Sequence, residues 1–298
     1  MSEARGEKAE RGGWGDVGHL IEILDVVPAG DRTYRSRSTR AASDRAVVEA
    51  SQLLAQAVVA AGRHAPGRRA VSGHMVFFRV ANATDPLTFA LEEHSSGRSF
   101  TALSVRVAQE GRDRAASTLL LDTTAPSVMT HAAAPPPCPG PEDSDPVDMG
   151  VSGRDLRVAE GAYTGDPDAP LGPPVLDAWM RYRDVPADPY LHAALLLQFT
   201  GHMSIAAAMR PHAGIGQDQA HRTLSTGINA IGFSLHADVR ADEWMRFHHH
   251  ATFAGDGMTH SECRVYTEDE RLIASFTVDA MVRGFGDPTQ AADATRAL

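Results

Sequence analysis

The chain contains few of the residues on which three common classes of protein depend. Two of its 298 residues are cysteine, Cys138 and Cys263, which are too few for a disulfide framework. Acidic residues outnumber basic ones by 38 to 28, and the formal net charge is −10. A nucleic-acid-binding protein needs a basic surface to neutralise phosphates, so this charge argues against one. It equally disfavours docking on an anionic membrane.

Long apolar runs and common catalytic motifs are also scarce. The N-terminal stretch 1–15 is charged and lacks the apolar region of a secretory signal, so we expect a disordered tail and a cytoplasmic protein. The longest apolar run, 190–209, includes two histidines and a glutamine, which predicts a buried helix rather than a membrane span. No Gly-x-Ser-x-Gly motif and no phosphate-binding glycine loop is present, so we expect neither a serine α/β-hydrolase nor a nucleotide cofactor.

One stretch occurs twice in the chain. Residues 106–117 read RVAQEGRDRAAS and residues 264–275 read RVYTEDERLIAS, each as strand, polar turn and strand. The repeat indicates two copies of one domain, which we place at 18–130 and 177–286. Segment 131–176 between them is rich in Pro, Gly and Asp, and this composition predicts a linker. Cys138 lies in this segment, where a surface thiol is expected.

Each copy has the same predicted order of elements. A long helix comes first, at 43–64 and at 188–209, with Ser43 or Asp44 and then Asp188 as expected N-caps. Both helices are apolar nearly all round, which is typical of a helix enclosed by other structure. Four extended segments follow each helix, at 74–81, 87–95, 99–109 and 114–122, and then at 228–239, 243–254, 259–269 and 271–282. The pattern predicts an α+β fold in which each helix packs on a curved antiparallel sheet.

Six stretches, in this order and spacing, resemble the acyl-CoA thioesterase II family. They are ASQLLAQAV (50–58), GRSFTALSVRVAQEGR (97–112), DPYLHAALL (188–196), MRPHAGIG (209–216), DEWMRF (242–247) and RVYTEDERLIASFTVDAMVR (264–283). In that family two tandem hotdog domains, each a long helix wrapped by an antiparallel sheet, are fused on one polypeptide. The resemblance covers about residues 18–286 and implies a gene-fusion dimer, with further assembly into a homo-oligomer as a plausible extension.

The resemblance also implies a site, in which an Asp, a Thr and a Gln orient the water that hydrolyses an acyl-CoA thioester. The positions that correspond to these three residues hold Gly201, Ile228 and Val278. We therefore expect the inherited catalytic set to be absent. Asp279 follows Val278 in a predicted strand, so its side chain should point away from the pocket.

Two other positions could carry the chemistry. His202 lies beside Gly201 and could act as a base for water or for a substrate α-proton, or it could be a helix histidine that only packs. Glu49 and Gln52 lie one turn apart in the first predicted helix, at the pseudo-symmetric location. Single-domain hotdog thioesterases often use a carboxylate on this helix as nucleophile or base, whereas a solvent-facing Glu49 is the alternative. Thr200 and Gln198 share the segment of His202, and either could orient a partner, but for both we expect local backbone bonding or packing.

The run His248–His250 raises the question of a metal site. In a strand, His248 and His250 share one face and His249 points the other way. Zinc needs three or four converging ligands, which the neighbouring sequence does not supply. We expect no metal, and a polar strand with one face at an interface.

The sequence thus predicts a protein that binds an acyl thioester, through CoA or the pantetheine of an acyl carrier protein, and a thioesterase-like hydrolase with an altered active site. One alternative is a dehydratase, hydratase or cyclase that acts on the tethered acyl chain, with His202 as base. Another is a non-catalytic acyl-thioester-binding protein. Release of free thiol, a changed acyl chain on an intact thioester, or binding without turnover would distinguish the three.

Overall fold

The computed structural model describes residues 15–39 and 47–285. In this part of the chain the helices are α1 Val17–Leu24, α2 Ala50–His64, α3 Pro189–Phe199 and α4 Ser204–Met209. The strands are β1 Gly15–Asp16, β2 Val26–Gly30, β3 Thr33–Ser36, β4 Arg69–Phe77, β5 Thr88–Ser96, β6 Phe100–Gln109, β7 Arg112–Asp122, β8 Asp145–Pro146, β9 Val151–Ser152, β10 Arg154–Val158, β11 Val175–Tyr182, β12 Leu224–Leu235, β13 Met245–Gly255, β14 Met258–Thr267 and β15 Leu272–Gly284.

Thirteen strands form one antiparallel sheet, in the order β2-β3-β5-β6-β7-β4-β12-β15-β14-β13-β11-β10-β8. β4 and β12 pair at the centre, with Met75 opposite Ile231. From this junction each half continues outward in the equivalent strand order, so the halves are related by a pseudo-twofold axis. The repeated stretch forms the hairpin β6–β7 in one half and β14–β15 in the other. The predicted α+β fold with two tandem hotdog units, each a helix packed on antiparallel strands, is confirmed, and all eight predicted strands are present.

The first long helix is shorter than its sequence pattern predicts. It begins at Ala50, with Glu49 as N-cap, rather than at residue 43. Val47 forms a β-bridge with Asn82, and the amide of Val48 donates to the carbonyl of Ala81, so the chain is extended at these two residues. The expected caps Ser43 and Asp44 lie outside the described residues.

The second long helix is interrupted. α3 ends at Phe199, and α4 begins after Met203, whose φ of 66° is left-handed. The break lets α3 pack on α1 and α2 while α4 packs on strands of the second half. Asp188 caps α3 as predicted, since its carboxylate accepts from the amide of Tyr190 at 2.9 Å. The stretch Pro189–Met209 is long and apolar enough to cross a membrane, but most of it is buried inside the protein.

Segment 131–176 contains more regular structure than its composition predicts. β8, β9 and β10 lie within it, and β10 pairs with β11 in the main sheet. Its proline-rich part covers one face of that sheet: Trp179 Nε1 donates to the carbonyl of Pro139 at 2.9 Å, and Arg246 Nη1 donates to that of Pro136 at 2.8 Å. Hydrogen bonds to the sheet therefore order a segment that lacks strand periodicity. α1 and the strands that precede each long helix were likewise missed, and the domain boundaries stay a proposal.

Two glycines allow α2 and α3 to cross closely. A Cβ built on Gly62 would lie 2.4 Å from Cδ1 of Tyr190, and one built on Gly201 would lie 2.6 Å from Oγ of Ser51. Both separations are shorter than van der Waals contact. Any larger residue at either position would force the helices apart or displace the facing side chain.

Gly62→Ala should therefore destabilise the protein, although alanine is the better helix former. The Tyr190 ring is held in place because its hydroxyl accepts from the amide of Gly67 at 3.2 Å. We expect a loss of about 1–3 kcal/mol in the free energy of unfolding, as is usual for overpacking, measured by urea denaturation. Gly227→Ala is the matched control, since no atom lies within 4 Å of its added Cβ. Equal stabilities of the two variants would contradict the prediction.

Candidate functional site

The start of α2 meets the end of α3 at a cluster of three polar side chains. His202 Nε2 lies 3.4 Å from Glu49 Oε2, and Gln198 Nε2 donates to the same oxygen at 3.1 Å. The side chains of Glu49 and His202 are 14% and 10% exposed. The structure thus places in contact two residues that the sequence offers as separate candidates. We call Glu49, Gln198 and His202 the acid–imidazole cluster.

The geometry of the helix ends explains how the acid–imidazole cluster forms. Glu49 is the N-cap of α2, yet its carboxylate makes no capping hydrogen bond to its own helix and turns toward α3 instead. The first amides of a helix have no intrahelical acceptors, and the positive end of the helix dipole favours a carboxylate there. His202 stacks on Phe199 with ring centroids 5.0 Å apart, which fixes the imidazole plane. A carboxylate, an imidazole and an amide held in this way can orient a water and accept its proton.

The three positions that we equate with the family's polar residues hold no polar side chain. Ser51 occupies the space beside Gly201, so an aspartate at this position would collide with it. Val278 is buried opposite Ile231, and Ile228 lies opposite Ala280 and packs against the core. Ile228 and Val278 therefore supply apolar surface to the interior.

Buried polar groups continue along α2 from the acid–imidazole cluster. Gln52 Nε2 donates to Gln56 Oε1 at 3.3 Å, and Gln56 Nε2 donates to the carbonyl of Ile23 at 2.7 Å. The buried atoms in this region that have no hydrogen-bond partner among the described residues include Ser51 Oγ, Gln52 Oε1 and Gln198 Oε1. Gln52, a candidate from the sequence, therefore directs its amide nitrogen along its own helix.

The other end of the helix crossing carries the equivalent residues of the second copy. Counted from the first residue of each helix, Glu49 corresponds to Asp188, and His202 corresponds to Arg63. Arg63 Nη2 lies 2.7 Å from Asp188 Oδ2, so an ion pair takes the place of the carboxylate–imidazole pair. A guanidinium keeps its charge at all accessible pH values, whereas an imidazole can gain and lose a proton near neutrality. Of these two equivalent contacts, the Glu49–His202 contact is the one that can perform proton transfer.

A second buried cluster lies beneath α4. His249 Nδ1 lies 3.2 Å from Ser204 Oγ and 3.4 Å from Cys263 Sγ. Burial lowers the pKa of His249 to about 3 and raises the pKa of Cys263 to about 12. Both side chains are therefore neutral at physiological pH. This cluster has the composition of a nucleophile–base pair, but its groups have pKa values that oppose this chemistry.

The histidine run alternates as its strand pattern predicts. His249 points into the core, while His248 bonds through Nδ1 to Asp177 at 3.0 Å on the other face. Among residues 15–39 and 47–285, no group of three or more His, Cys, Asp or Glu side chains is placed to hold a metal ion. Asp279 lies on the same outer face as predicted, 2.6 Å from His260 Nδ1.

Cys138, predicted as a surface thiol, is partly buried within the proline-rich segment, and burial raises its pKa to about 11. It lines a cavity of about 170 Å³ with Trp179 and Arg246. A larger cavity, of about 610 Å³, lies beside Arg181 and Trp244. Neither cavity includes the acid–imidazole cluster, so the cluster meets solvent through the small exposed parts of its own side chains.

Two parts of the site were not recognised in the sequence. Gln198 was expected to bond locally or to pack, and instead it donates to a carboxylate on the other helix. Thr200 does bond locally as expected, since its hydroxyl donates to the carbonyl of Leu197 at 2.6 Å. One feature of the sequence indicates the contact between Glu49 and His202. The equivalent positions in the other copy hold Asp188 and Arg63, whose opposite charges predict an ion pair.

Comparisons with known proteins agree with this architecture. A family model described as the acyl-CoA thioesterase N-terminal domain matches residues 40–124, and one described as the acyl-CoA thioesterase C-terminal domain matches residues 132–282. Acyl-coenzyme A thioesterase 8 of Homo sapiens is 23% identical over 300 residues, which cover 89% of this chain and 88% of that protein. Its Mus musculus counterpart is 23% identical, with 95% of both chains covered.

Solved structures show the same fold. An acyl-CoA thioesterase II from Mycobacterium marinum superposes with a TM-score of 0.74 at 22% identity, and the match covers 90% of this chain and 99% of that chain. The tesB protein of Mycobacterium avium subs paratuberculosis gives a TM-score of 0.75 at 17% identity, with coverages of 90% and 100%. The two family models together span most of the sequence. The chain therefore belongs to the acyl-CoA thioesterase family, with an N-terminal and a C-terminal domain of that family on one polypeptide.

Proposed function

We propose that the protein hydrolyses acyl-CoA thioesters at the acid–imidazole cluster. The observation that carries this proposal is the 3.4 Å contact between Glu49 and His202, because it pairs a proton acceptor with a carboxylate that can orient it. Family membership supports the substrate class, an acyl thioester with CoA as its handle. The proposed site uses Glu49, Gln198 and His202, whereas the resemblance implies an Asp, a Thr and a Gln.

In this mechanism His202 is the general base. Its imidazole takes a proton from water, the water oxygen bonds to the thioester carbonyl carbon, and the carbon–sulfur bond then breaks. The proton passes from the imidazolium to the departing thiolate, so the products are a carboxylic acid and free CoA thiol. Glu49 orients the imidazole and stabilises its charged form, and Gln198 holds the Glu49 carboxylate by donating to it.

The start of α2 supplies groups that can stabilise the oxyanion. The amides in the first turn of a helix lack intrahelical acceptors. In α2 these are the amides of Ala50 and Ser51. The hydroxyl of Ser51 is buried beside Gly201 and has no partner within the described part of the chain. A thioester carbonyl between this hydroxyl and His202 would develop its negative charge at the positive end of α2.

The experiment is to measure thiol release from short, medium, long and aromatic acyl-CoAs by the purified protein. Release above the uncatalysed rate supports the proposal, and the same acyl groups on a carrier-protein pantetheine then show which handle is preferred. Product analysis distinguishes other chemistry, because a dehydratase or cyclase would change the acyl chain and leave the thioester intact. Saturable binding with no turnover of any substrate would refute hydrolysis and leave a binding protein.

A further inference from the structure

Two buried glutamines beside the acid–imidazole cluster have their amide orientation fixed by their neighbours. Gln56 must donate from Nε2 to the carbonyl of Ile23, which can only accept, so its Oε1 faces Gln52. Gln52 therefore donates from Nε2 and directs its Oε1 away from this chain of bonds. By the same logic Gln198 donates from Nε2 to the carboxylate of Glu49 and is left with Oε1.

Both of these amide oxygens are acceptors that lack a partner in residues 15–39 and 47–285. Gln52 is 4% exposed and Gln198 is fully buried, so bulk water does not satisfy them. Buried polar groups in folded proteins are nearly always hydrogen-bonded, because an unpaired one is costly. The complement that these oxygens require is a hydrogen-bond donor.

The second copy of the domain provides an internal comparison. At the pseudo-equivalent positions, Gln52 is replaced by Leu191 and Gln198 by Val59, and both of these are buried. Apolar side chains of similar size therefore fit the same helix crossing. Packing alone therefore does not require the side-chain amides of Gln52 and Gln198 at the Glu49 end. They occur only at the end of the helix crossing that holds the proposed base.

We infer that the acyl chain of the substrate carries a hydroxyl group on carbon 2 or 3, which donates its one hydrogen to the Oε1 atom of Gln52. This inference rests on the proposed function, because that function places the thioester carbonyl beside Glu49 and His202. Gln198 bonds to Glu49 directly, so an acyl chain seated at the acid–imidazole cluster has its first carbons nearest these amide oxygens. A site built to bond a hydroxyl discriminates against the analogue without one, since its acceptor then stays unpaired.

The test compares kcat/KM for matched pairs, 3-hydroxybutyryl-CoA and 2-hydroxybutyryl-CoA against butyryl-CoA. We expect at least one hydroxyacyl-CoA to be preferred by about tenfold. Gln52→Met replaces the amide with an apolar side chain of similar length and should lower kcat/KM more on the preferred hydroxyacyl-CoA than on butyryl-CoA, which brings this ratio close to one. Leu191→Met is the matched control at the pseudo-equivalent position and should keep the wild-type ratio.

The other outcomes overturn the inference in distinguishable ways. Equal kcat/KM values for the wild type on all three substrates would refute the inferred hydroxyl group of the substrate. The proposed hydrolysis would be unaffected. An equal loss on every substrate in Gln52→Met would assign its oxygen to the attacking water or to the pantetheine amide, which the substrates share.

If no substrate is hydrolysed, the proposed function fails, and binding decides the inference. The probes are the non-hydrolysable thioether analogues, 3-hydroxybutyl-CoA and 2-hydroxybutyl-CoA against butyl-CoA, titrated calorimetrically into the wild type. Tighter binding of a hydroxy analogue by about tenfold supports the inference, and equal affinities overturn it. This comparison needs no variant, so it also decides the matter if Gln52→Met does not fold.

Discussion

His202→Gln lowers kcat/KM for acyl-CoA hydrolysis by about a hundredfold to ten-thousandfold, the usual contribution of a general base. Glutamine keeps a polar side chain at the position but cannot take a proton from water. Glu49→Gln should lower the rate on a similar scale, because the imidazole then loses the carboxylate that orients it. The double variant should cost little more than either single one, since the two residues act as a unit. Thiol release under steady-state conditions measures all three.

Arg63→Gln and Asp188→Asn are the matched controls for this prediction. They remove the pseudo-equivalent ion pair at the other end of the helix crossing and should change stability while leaving turnover near the wild-type value. Full activity of His202→Gln, with a melting temperature as low as that of Arg63→Gln, would show that the Glu49–His202 contact is also only structural. Thermal denaturation beside the kinetic assay separates these results.

Acidification from pH 7 to pH 5 destabilises the protein through His249, by about 2 kcal/mol if its pKa falls from 6.5 in the unfolded chain to about 3 in the fold. The sign follows from where the proton binds. Between these pKa values the unfolded chain takes up a proton that the folded protein rejects, because burial excludes the charged imidazole. Stability from this source is complete above pH 7 and is lost progressively as the pH falls toward 3.

The check is urea denaturation at pH 7 and at pH 5 for the wild type and for His249→Gln. Glutamine does not titrate, so the variant should be less stable at pH 7 but should lose about 2 kcal/mol less on acidification. His250→Gln is the control, since His250 is the next residue in the strand and is exposed. Carboxylates and other histidines contribute to the pH dependence of all three proteins, and the difference cancels them. Parallel loss in His249→Gln and wild type would contradict the burial argument.

The strands and the presence of two domains could be predicted from local features of the sequence. Alternation of apolar residues identifies β6, β7, β14 and β15, and the repeat places them as equivalent hairpins. The helix ends were less predictable because tertiary contacts set them. Residues 47–49 belong to the predicted helix, yet the bridge from Val47 to Asn82 holds the chain extended at this point, and Asn82 lies in a distant segment.

In the candidate site, too, the residues could be predicted from the sequence but their contact could not. His202 and Glu49 were each recognisable by residue type and by position relative to a family motif. Their contact was not, because it depends on how closely α2 and α3 cross, which depends on two glycines and on the side chains that face them. In the sequence, Gln198 is one polar residue in an apolar helix. Its hydrogen bond to Glu49 could not be predicted, because it requires that Glu49 is an N-cap whose carboxylate turns toward α3.

The pseudo-twofold axis has a consequence for how such a protein can change. In a symmetric homodimer every substitution occurs twice, so a residue suited to catalysis at one end of the helix crossing is also imposed on the other. Covalent joining of the two halves removes that constraint. The Arg63–Asp188 end holds the helices together with an ion pair, while the Glu49–His202 end carries a carboxylate and an imidazole. Under the proposed function, the compromise between stability and activity that one repeated sequence would face is divided between the two copies.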